Sequence, residues 1–427
     1  METTERRGTV TKIIPRRQLA AAAAGQFIEW FDWNAYALLS VYFAYQFFPE
    51  DASPLAALLG TFGIMAVGFF FRPVAGLIVG RIADRFGRRF ALMLTVYGMG
   101  FAALLMAFAP TYAQVGVLAP LILLVARIIQ GICIGGEYAA MTAFAMEMSP
   151  QGKRGLVAGV LNLFSFAGQL MVAALVVLFA WVLSPEAMTS WGWRAIFVIG
   201  ALLSVLGVFI RRGMQETADV EAVKEKKYGM FEAMRQNPRA TVRVVGMTLG
   251  FTAMVYTWGT YMPAYAMTYK GLDPKFGMLA TMISLSIAVA SAIVAGKLSD
   301  RFGRRATMLT AGIILMVGTV PALNFLNDEL WRLIVVQGFA NMILMLLQAS
   351  AMPAFAELFP RTFRASGLGF PYSLTVGLVG GTAPMVGTQL AAWGATAVFP
   401  WYLAGLMAIS VVFYATMKET AFKPLPT

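Results

Sequence analysis

One ten-residue string occurs twice in this 427-residue chain, as GRIADRFGRR over 80–89 and as GKLSDRFGRR over 296–305. The copies lie about half a chain apart, and each is a basic knot between two long apolar runs. That is the pattern of a tight turn between membrane helices on the positively charged side of a bilayer. Two weaker repeats keep similar spacing. Glu147-x-x-Pro150-x-x-x-Arg154 returns as Glu357-x-x-Pro360-x-x-x-Arg364, and Met214-x-Glu216-Thr217 returns as Met417-x-Glu419-Thr420. The chain therefore reads as a duplication, two like halves with the same turns at the same end.

The composition excludes an ordinary soluble domain, where roughly a quarter of residues are charged. Here 59% are hydrophobic, 13% are charged, and the mean hydropathy is +0.71. Apolar runs long enough to cross ~30 Å of hydrocarbon recur twelve times, from 20–46 to 397–417. The expectation is an all-α integral membrane protein with twelve transmembrane helices in two pseudo-symmetric six-helix bundles. Its parts are an N-terminal segment (1–19), a first bundle (20–212), a linker (213–240), a second bundle (241–417) and a tail (418–427).

The net charge of +12 does not call for nucleic acid, because 27 of the 33 Lys and Arg fall in the termini and the even-numbered turns. By the positive-inside rule both termini face the cytoplasm, and the membrane expected is the bacterial inner one. The first apolar run contains Glu29 and Asp32 and lacks a small-residue cleavage pattern, so it reads as a span rather than a leader. With one cysteine, Cys133, intramolecular disulfides are excluded. No phosphate-loop string appears, and no nucleophile–base or metal-ligand cluster suggests an enzyme. No cofactor is expected, so uphill work falls to an ion gradient.

Five ionisable residues lie at hydrocarbon depth: Glu29, Asp32, Arg72, Arg127 and Glu137. Each costs at least ~2.5 kcal/mol there, which makes them functional candidates, the alternative being that some only pair to hold helices together. Glu29, Asp32, Trp33 and Tyr36 are spaced i, i+3, i+4 and i+7 and so share a helix face, expected to line a cavity. Glu137 has no basic residue within one helical turn. Histidine is absent, so proton coupling, if present, rests on carboxylates. Arg72, directly before Pro73, reads as a bidentate anchor for a carboxylate.

The doubled Gly-x3-Asp-Arg-x-Gly-Arg-Arg string resembles the signature of the major facilitator superfamily. The strings around Glu29–Asp32, Arg72-Pro73, Arg127–Gly131, Gly135–Tyr138, Trp191–Arg194 and Glu216-Thr217 are similar to the metabolite:proton symporter family. That group includes permeases for 2-oxoglutarate, shikimate, citrate and osmoprotectants. The resemblance implies the major facilitator fold, and implies that Asp32 meets Arg127 across the first and fourth spans as a proton switch, with Glu137 the rival proton carrier.

Polar stripes supply further lining candidates: Asn162 and Gln169 in the fifth span, Tyr256 and Thr260 in the seventh, Gln348 in the tenth, Tyr372 in the eleventh and Tyr138 beside Glu137. Such stripes serve equally as glue between helices. Asp84, Arg88, Glu147, Arg154, Asp300, Arg304, Glu357 and Arg364 read as gate elements, charges exchanged between the halves at the cytoplasmic side. The leading reading is a monomeric secondary transporter that carries a small anionic metabolite, a 2-oxoglutarate-like dicarboxylate or keto acid, together with protons. The alternatives are a zwitterionic osmolyte (betaine or proline), which the string Gly381 to Pro384 favours, or shikimate and aromatic acids. A non-transporting membrane sensor is the remaining one.

Overall fold

Lipid offers backbone N–H and C=O groups no partner, so a chain that crosses it must satisfy them within helices or a closed barrel. In the computed structural model this chain does so with helices. The structure describes residues 16–75, 79, 88–135, 137–212, 234–361 and 364–426. The expected gate residue Asp84, most of the linker and the Glu216-Thr217 string lie outside the described residues. So do the side chains of Arg88 and Glu137, whose backbones begin helices.

Twelve long helical stretches carry the described chain. In the first half these are α1 (Arg16–Phe43), α2 (Pro54–Ala75), α3 (Arg88–Ala107), α4 (Leu118–Ile134, resuming as Glu137–Met148), α5 (Arg154–Val182) and α6 (Trp193–Arg212). In the second they are α7 (Pro238–Met254, then a π turn Val255–Tyr261, then Met262–Lys270), α8 (Pro274–Phe302), α9 (Arg304–Phe325) and α10 (Leu330–Ala356). α11 (Arg364–Thr375, a π turn Val376–Gly380, then Ala383–Ala392) and α12 (Val398–Thr416) complete it.

The packing repeats with the sequence. In the first half α1 packs on α5, α3 on α6 and α2 on α4; in the second α7 packs on α11, α9 on α12 and α8 on α10. The halves meet where α5 runs along α8 and α10, and where α11 touches α2 and α4. The start of α1 (Leu19, Ala23) packs with the last residues of α4 (Ala145, Met146), the start of α5 (Ala158) and the end of α10 (Met352, Ala356). This end also carries the second decapeptide and the tail, and is called here the basic end.

Among the described residues seven helices are long and apolar enough to cross a membrane by themselves: α2, α5, α6, α8, α9, α10 and α12. Of the others, α1, α4, α7 and α11 fall short on these grounds for local reasons. Glu29, Asp32 and Asn34 dilute α1, α4 breaks at Gly135, and π turns with Pro263 and Pro384 interrupt α7 and α11. Bulky apolar side chains face outward all round, among them Phe108, Val182, Trp191, Trp393 and Trp401. A soluble protein does not leave so much apolar surface in water.

Glycines set the closest approaches. A Cβ on Gly131 of α4 would overlap the Gly68 carbonyl of α2, and one on Gly68 would stand 2.8 Å from the Arg127 carbonyl. At the seam between halves, a Cβ on Gly155 would lie 2.6 Å from the Gly296 carbonyl, and one on Gly296 would lie 2.5 Å from that of Gly155. Gly131→Val is therefore expected to lower unfolding stability by about 1–3 kcal/mol through overpacking. Gly63→Ala, in the same α2 but with open space around it, should leave stability unchanged or raise it by up to ~1 kcal/mol. Thermal unfolding of the purified variants in detergent checks the pair, and an unperturbed Gly131→Val melt contradicts the packing argument.

Candidate functional site

Between the halves lies a small, partly open cavity. α1 supplies Gln26, Glu29, Trp30 and Trp33, α2 supplies Arg72, and the break in α4 supplies Ile134, Gly135 and Tyr138. Asn162 comes from α5, Thr252, Val255 and Tyr256 from α7, Gln348 from α10, and Tyr372, Ser373 and Val376 from α11. The wall is thus shared by both halves.

Arg72 is the cation in this wall. Its backbone sits where α2 is interrupted at Phe71. A side chain on Gly135 would overlap the Arg72 carbonyl, so glycine lets the broken α4 lie directly on this stretch. The guanidinium lies 4.3 Å from the ring centroids of both Trp33 and Phe69. Nη1 donates to the Tyr256 hydroxyl at 3.3 Å, while Nε is buried without an acceptor. Among the described residues no carboxylate stands within ion-pair distance of Arg72.

Arg127 is placed differently. It is fully buried behind Trp33, with its guanidinium 3.9 Å from that ring and 4.4 Å from the ring of Tyr36. Nη1 donates to Gln130 at 2.6 Å, and Nε and Nη2 have no acceptor. Asp32 does not meet it in an ion pair, contrary to what the resemblance implies. The Asp32 carboxylate turns towards α6, where Oδ2 accepts from the Ser204 hydroxyl at 3.1 Å. Gly200 makes room, since a Cβ there would overlap Oδ1.

The expected α1 face is also rotated. Its cavity stripe is Gln26, Glu29, Trp30 and Trp33, whereas Asp32 and Tyr36 lie on the neighbouring stripe, inside the first half. At ~100° per residue, the spacing i, i+3, i+4, i+7 counted from Gln26 describes the lining better than the same spacing counted from Glu29. Gln26 and Trp30 were legible on that ground and were missed. Tyr36 donates its hydroxyl to the Thr61 carbonyl.

Gln169 and Thr260 are likewise off the wall and form a buried lock towards the other end. Asn34 Oδ1 accepts from Thr260 Oγ1 at 2.8 Å and from Gln169 Nε2 at 3.0 Å, and Gln169 also donates to the Gly259 carbonyl at 2.7 Å. The π turn in α7 presents that carbonyl. Phe62 packs edge-on against Tyr261 beside it. Glu29, Trp33, Arg72, Tyr138, Asn162, Tyr256, Gln348 and Tyr372 all lie in the wall as expected for lining positions, with Tyr138 and Tyr372 stacked across the halves at 4.2 Å.

At the basic end six of the eight expected gate residues come together. Arg364 donates to Glu147 at 2.6 Å and Arg154 to Glu357 at 2.8 Å, each across the halves. Asp300 accepts from the N–H groups of Gly155 and Leu156 at 2.8 Å and is held by Arg304 at 3.0 Å. The tail closes over this cluster. The Thr420 hydroxyl donates to Glu357, Arg154 to the Lys423 carbonyl and Arg364 to the Pro426 carbonyl. Glu419 accepts from the N–H groups of Arg304, Arg305, Thr420 and Ala421 and so caps α9.

Comparisons place this geometry. The profile of the Major Facilitator Superfamily matches residues 22–292 and 273–426. Alpha-ketoglutarate permease of Escherichia coli (strain K12) is 33% identical over 93% of this chain and 92% of its own. Proline/betaine transporter of Salmonella typhimurium (strain LT2) is 29% identical over 96% and 85%. Shikimate transporter of Escherichia coli (strain K12) is 28% identical over 97% of each. Among solved structures, the proton:xylose symporter XylE bound to 6-bromo-6-deoxy-D-glucose superposes with a TM-score of 0.73 at 17% identity, covering 96% of this chain and 97% of that one.

Burial pushes the Glu419 carboxyl up, and four backbone N–H groups pull it down and prevail, so it titrates below the usual carboxylate range. A depressed carboxylate stabilises the fold above its unfolded pKa, ~4.3, and that contribution is lost as pH falls through the folded value. Glu419→Gln should therefore destabilise the protein at pH 7 by about 1 kcal/mol, as the loss of a helix cap does. The gap to the unaltered protein should narrow below about pH 4. Melting curves across pH 3–7 check this, and a gap independent of pH argues against the charged cap.

Proposed function

Because this chain belongs to the major facilitator superfamily, we propose that it is a proton-coupled symporter of a small carboxylate metabolite, working by alternating access. A 2-oxoglutarate-like dicarboxylate or keto acid fits best. The observation that carries this reading is Arg72: a guanidinium in the wall between the halves, bonded to a neutral hydroxyl and, among the described residues, to no carboxylate. A half-buried cation in that position is satisfied by an anion that arrives and leaves. Contacts between the halves on both sides of the cavity support an occluded arrangement that opens one end at a time.

In this reading all twelve helices span the bilayer of a bacterial inner membrane, the basic end faces the cytoplasm, and the unit is a monomer. Asp32 carries the coupled proton. It is buried beside a single hydroxyl, with Arg127 on the same side of Trp33's helix to respond when α1 and α4 shift. Glu137 and Glu29 are the other carboxylates at this depth.

A second reading, a zwitterionic osmolyte, is favoured by one feature. Trp30, Trp33, Tyr138, Tyr256 and Tyr372 surround the same space as Glu29, and aromatic faces beside an acid suit an organic cation. Against it stand Arg72 and Arg127 near those faces.

Uptake by proteoliposomes tests both. With an inside-alkaline gradient, labelled dicarboxylate should accumulate, and a protonophore should abolish accumulation. Asp32→Asn should remove accumulation and spare exchange of internal for external substrate. Arg72→Met should weaken both by at least about tenfold, the worth of one charge-assisted hydrogen bond. Accumulation that survives Asp32→Asn moves the proton to Glu137 or Glu29, and accumulation of betaine alone sinks the carboxylate reading.

A further inference from the structure

An arginine meets a carboxylate well only when its planar fork is already turned towards it. At Arg72 the contacts that set this direction come from both halves. Trp33 and Phe69, of the first half, stand edge to face at 4.6 Å, and the guanidinium lies 4.3 Å from each ring centroid. Attraction to ring faces fixes where the charge sits, and it gives no direction to individual N–H groups. The directed contact is the hydrogen bond from Nη1 to the Tyr256 hydroxyl at 3.3 Å, and Tyr256 belongs to α7 in the second half.

Tyr256 is itself firmly seated. It is buried in the π turn of α7 and stands edge-on to Phe69 at 4.8 Å. Against both rings runs the end of the π turn in α11. A Cβ on Gly380 would stand 2.7 Å from the Tyr256 ring, and one on Gly381 would overlap the Phe69 ring. Two adjacent glycines thus let α11 press on an aromatic ring from each half beside Arg72. We propose that Tyr256 is a positioning residue: its hydroxyl orients the Arg72 guanidinium across the seam, so that a carboxylate entering the cavity meets a fork already set. This rests on the carboxylate reading above and adds to it the residue that aims its anchor.

The physical basis is the freedom that a long side chain loses when it grips a ligand. A guanidinium held beforehand loses less, and the difference appears as affinity. Because the bond crosses the seam, the anchor is set only while the second half stands against α2. The ring of Tyr256 and its hydroxyl have separable parts in this. Phenylalanine keeps the ring against Phe69 and Gly380 and removes only the orienting bond.

Exchange of labelled glutarate by proteoliposomes holding the full-length protein tests the assignment, with melting temperature as the check that each variant is folded. Tyr256→Phe should raise the KM for exchange by about tenfold, the worth of one hydrogen bond to a charged group. Its kcat should stay within about twofold of the unaltered value, since the loss falls on binding. Arg72→Lys keeps the charge but has no planar fork to orient. In that background the further change Tyr256→Phe should move KM by less than about twofold, the non-additivity of a residue that acts through another. An unchanged KM in Tyr256→Phe, or a fall in kcat in place of the rise in KM, overturns the positioning role and leaves the carboxylate reading standing. So does a full loss repeated on Arg72→Lys, which would mean that Tyr256 touches the ligand itself. Absence of glutarate exchange by the unaltered protein overturns the carboxylate reading and this assignment with it.

Discussion

The Asp300 carboxylate is set at the N-terminus of a helix from the other half. Its two oxygens take the first free N–H groups of α5, at Gly155 and Leu156, where the helix presents donors and the positive end of its dipole. That contact is possible because glycines 155 and 296 let the two backbones meet, and it is aimed by Arg304, fully buried beneath the carboxylate. The doubled decapeptide is thus more than a basic turn. In its second copy the aspartate is the bond, the arginine four residues on is its support, and the leading glycine removes the obstacle. The rest of the seam at the basic end, Arg154 with Glu357 and Arg364 with Glu147, is arranged around this cap.

Ion pairs suit a contact that must form and part. Removing two charges from water costs nearly as much as their attraction returns, so a closed cluster of such pairs is specific in geometry without being deep in energy. Were the halves to separate at this end, the freed groups would regain water. The far end uses a different chemistry. Asn34, Gln169 and Thr260 meet without any formal charge, and a π turn supplies the Gly259 carbonyl that completes the set. Its bonds are individually modest and are made in a dry setting of Phe62, Tyr261 and Phe399.

The repeated packing was legible in the sequence, because Glu147-x-x-Pro150-x-x-x-Arg154 and its copy at 357–364 fall at the same end of corresponding helices. Six residues of the charged cluster at the basic end were legible for the same reason. Side-chain direction was not. Glu29, Asp32, Trp33 and Tyr36 share a broad face, yet the cavity takes only part of it, since Gly200 draws α6 onto Asp32 and leaves Gln26 and Trp30 to face the space between the halves. Nothing in the string itself says which neighbour will come close. Asp32 and Arg127 form no ion pair in this structure for a similar reason. Each is taken by a nearer neutral group, Ser204 and Gln130, and Trp33 lies against the guanidinium of Arg127. Gln169 and Thr260 looked like lining residues from their polar stripes, but a stripe does not distinguish a wall from a lock.

The placement of charge and of neutral donors bears on how occupancy and closure are joined. Arg72, Asp32 and Arg127 all belong to the first half. An amide on α10 belongs to the other. A ligand that touched only Arg72 would leave α10 unengaged, whereas one that also reached Gln348 would span the cavity from the first half to α10. α10 carries Glu357 at its basic end and α5 carries Arg154, so the helices that such a ligand would join are the ones whose ends form the latch. A ligand that fails to bridge gives no such bias, and by differential affinity alone a compound can shift the equilibrium only as far as its contacts distinguish the two states.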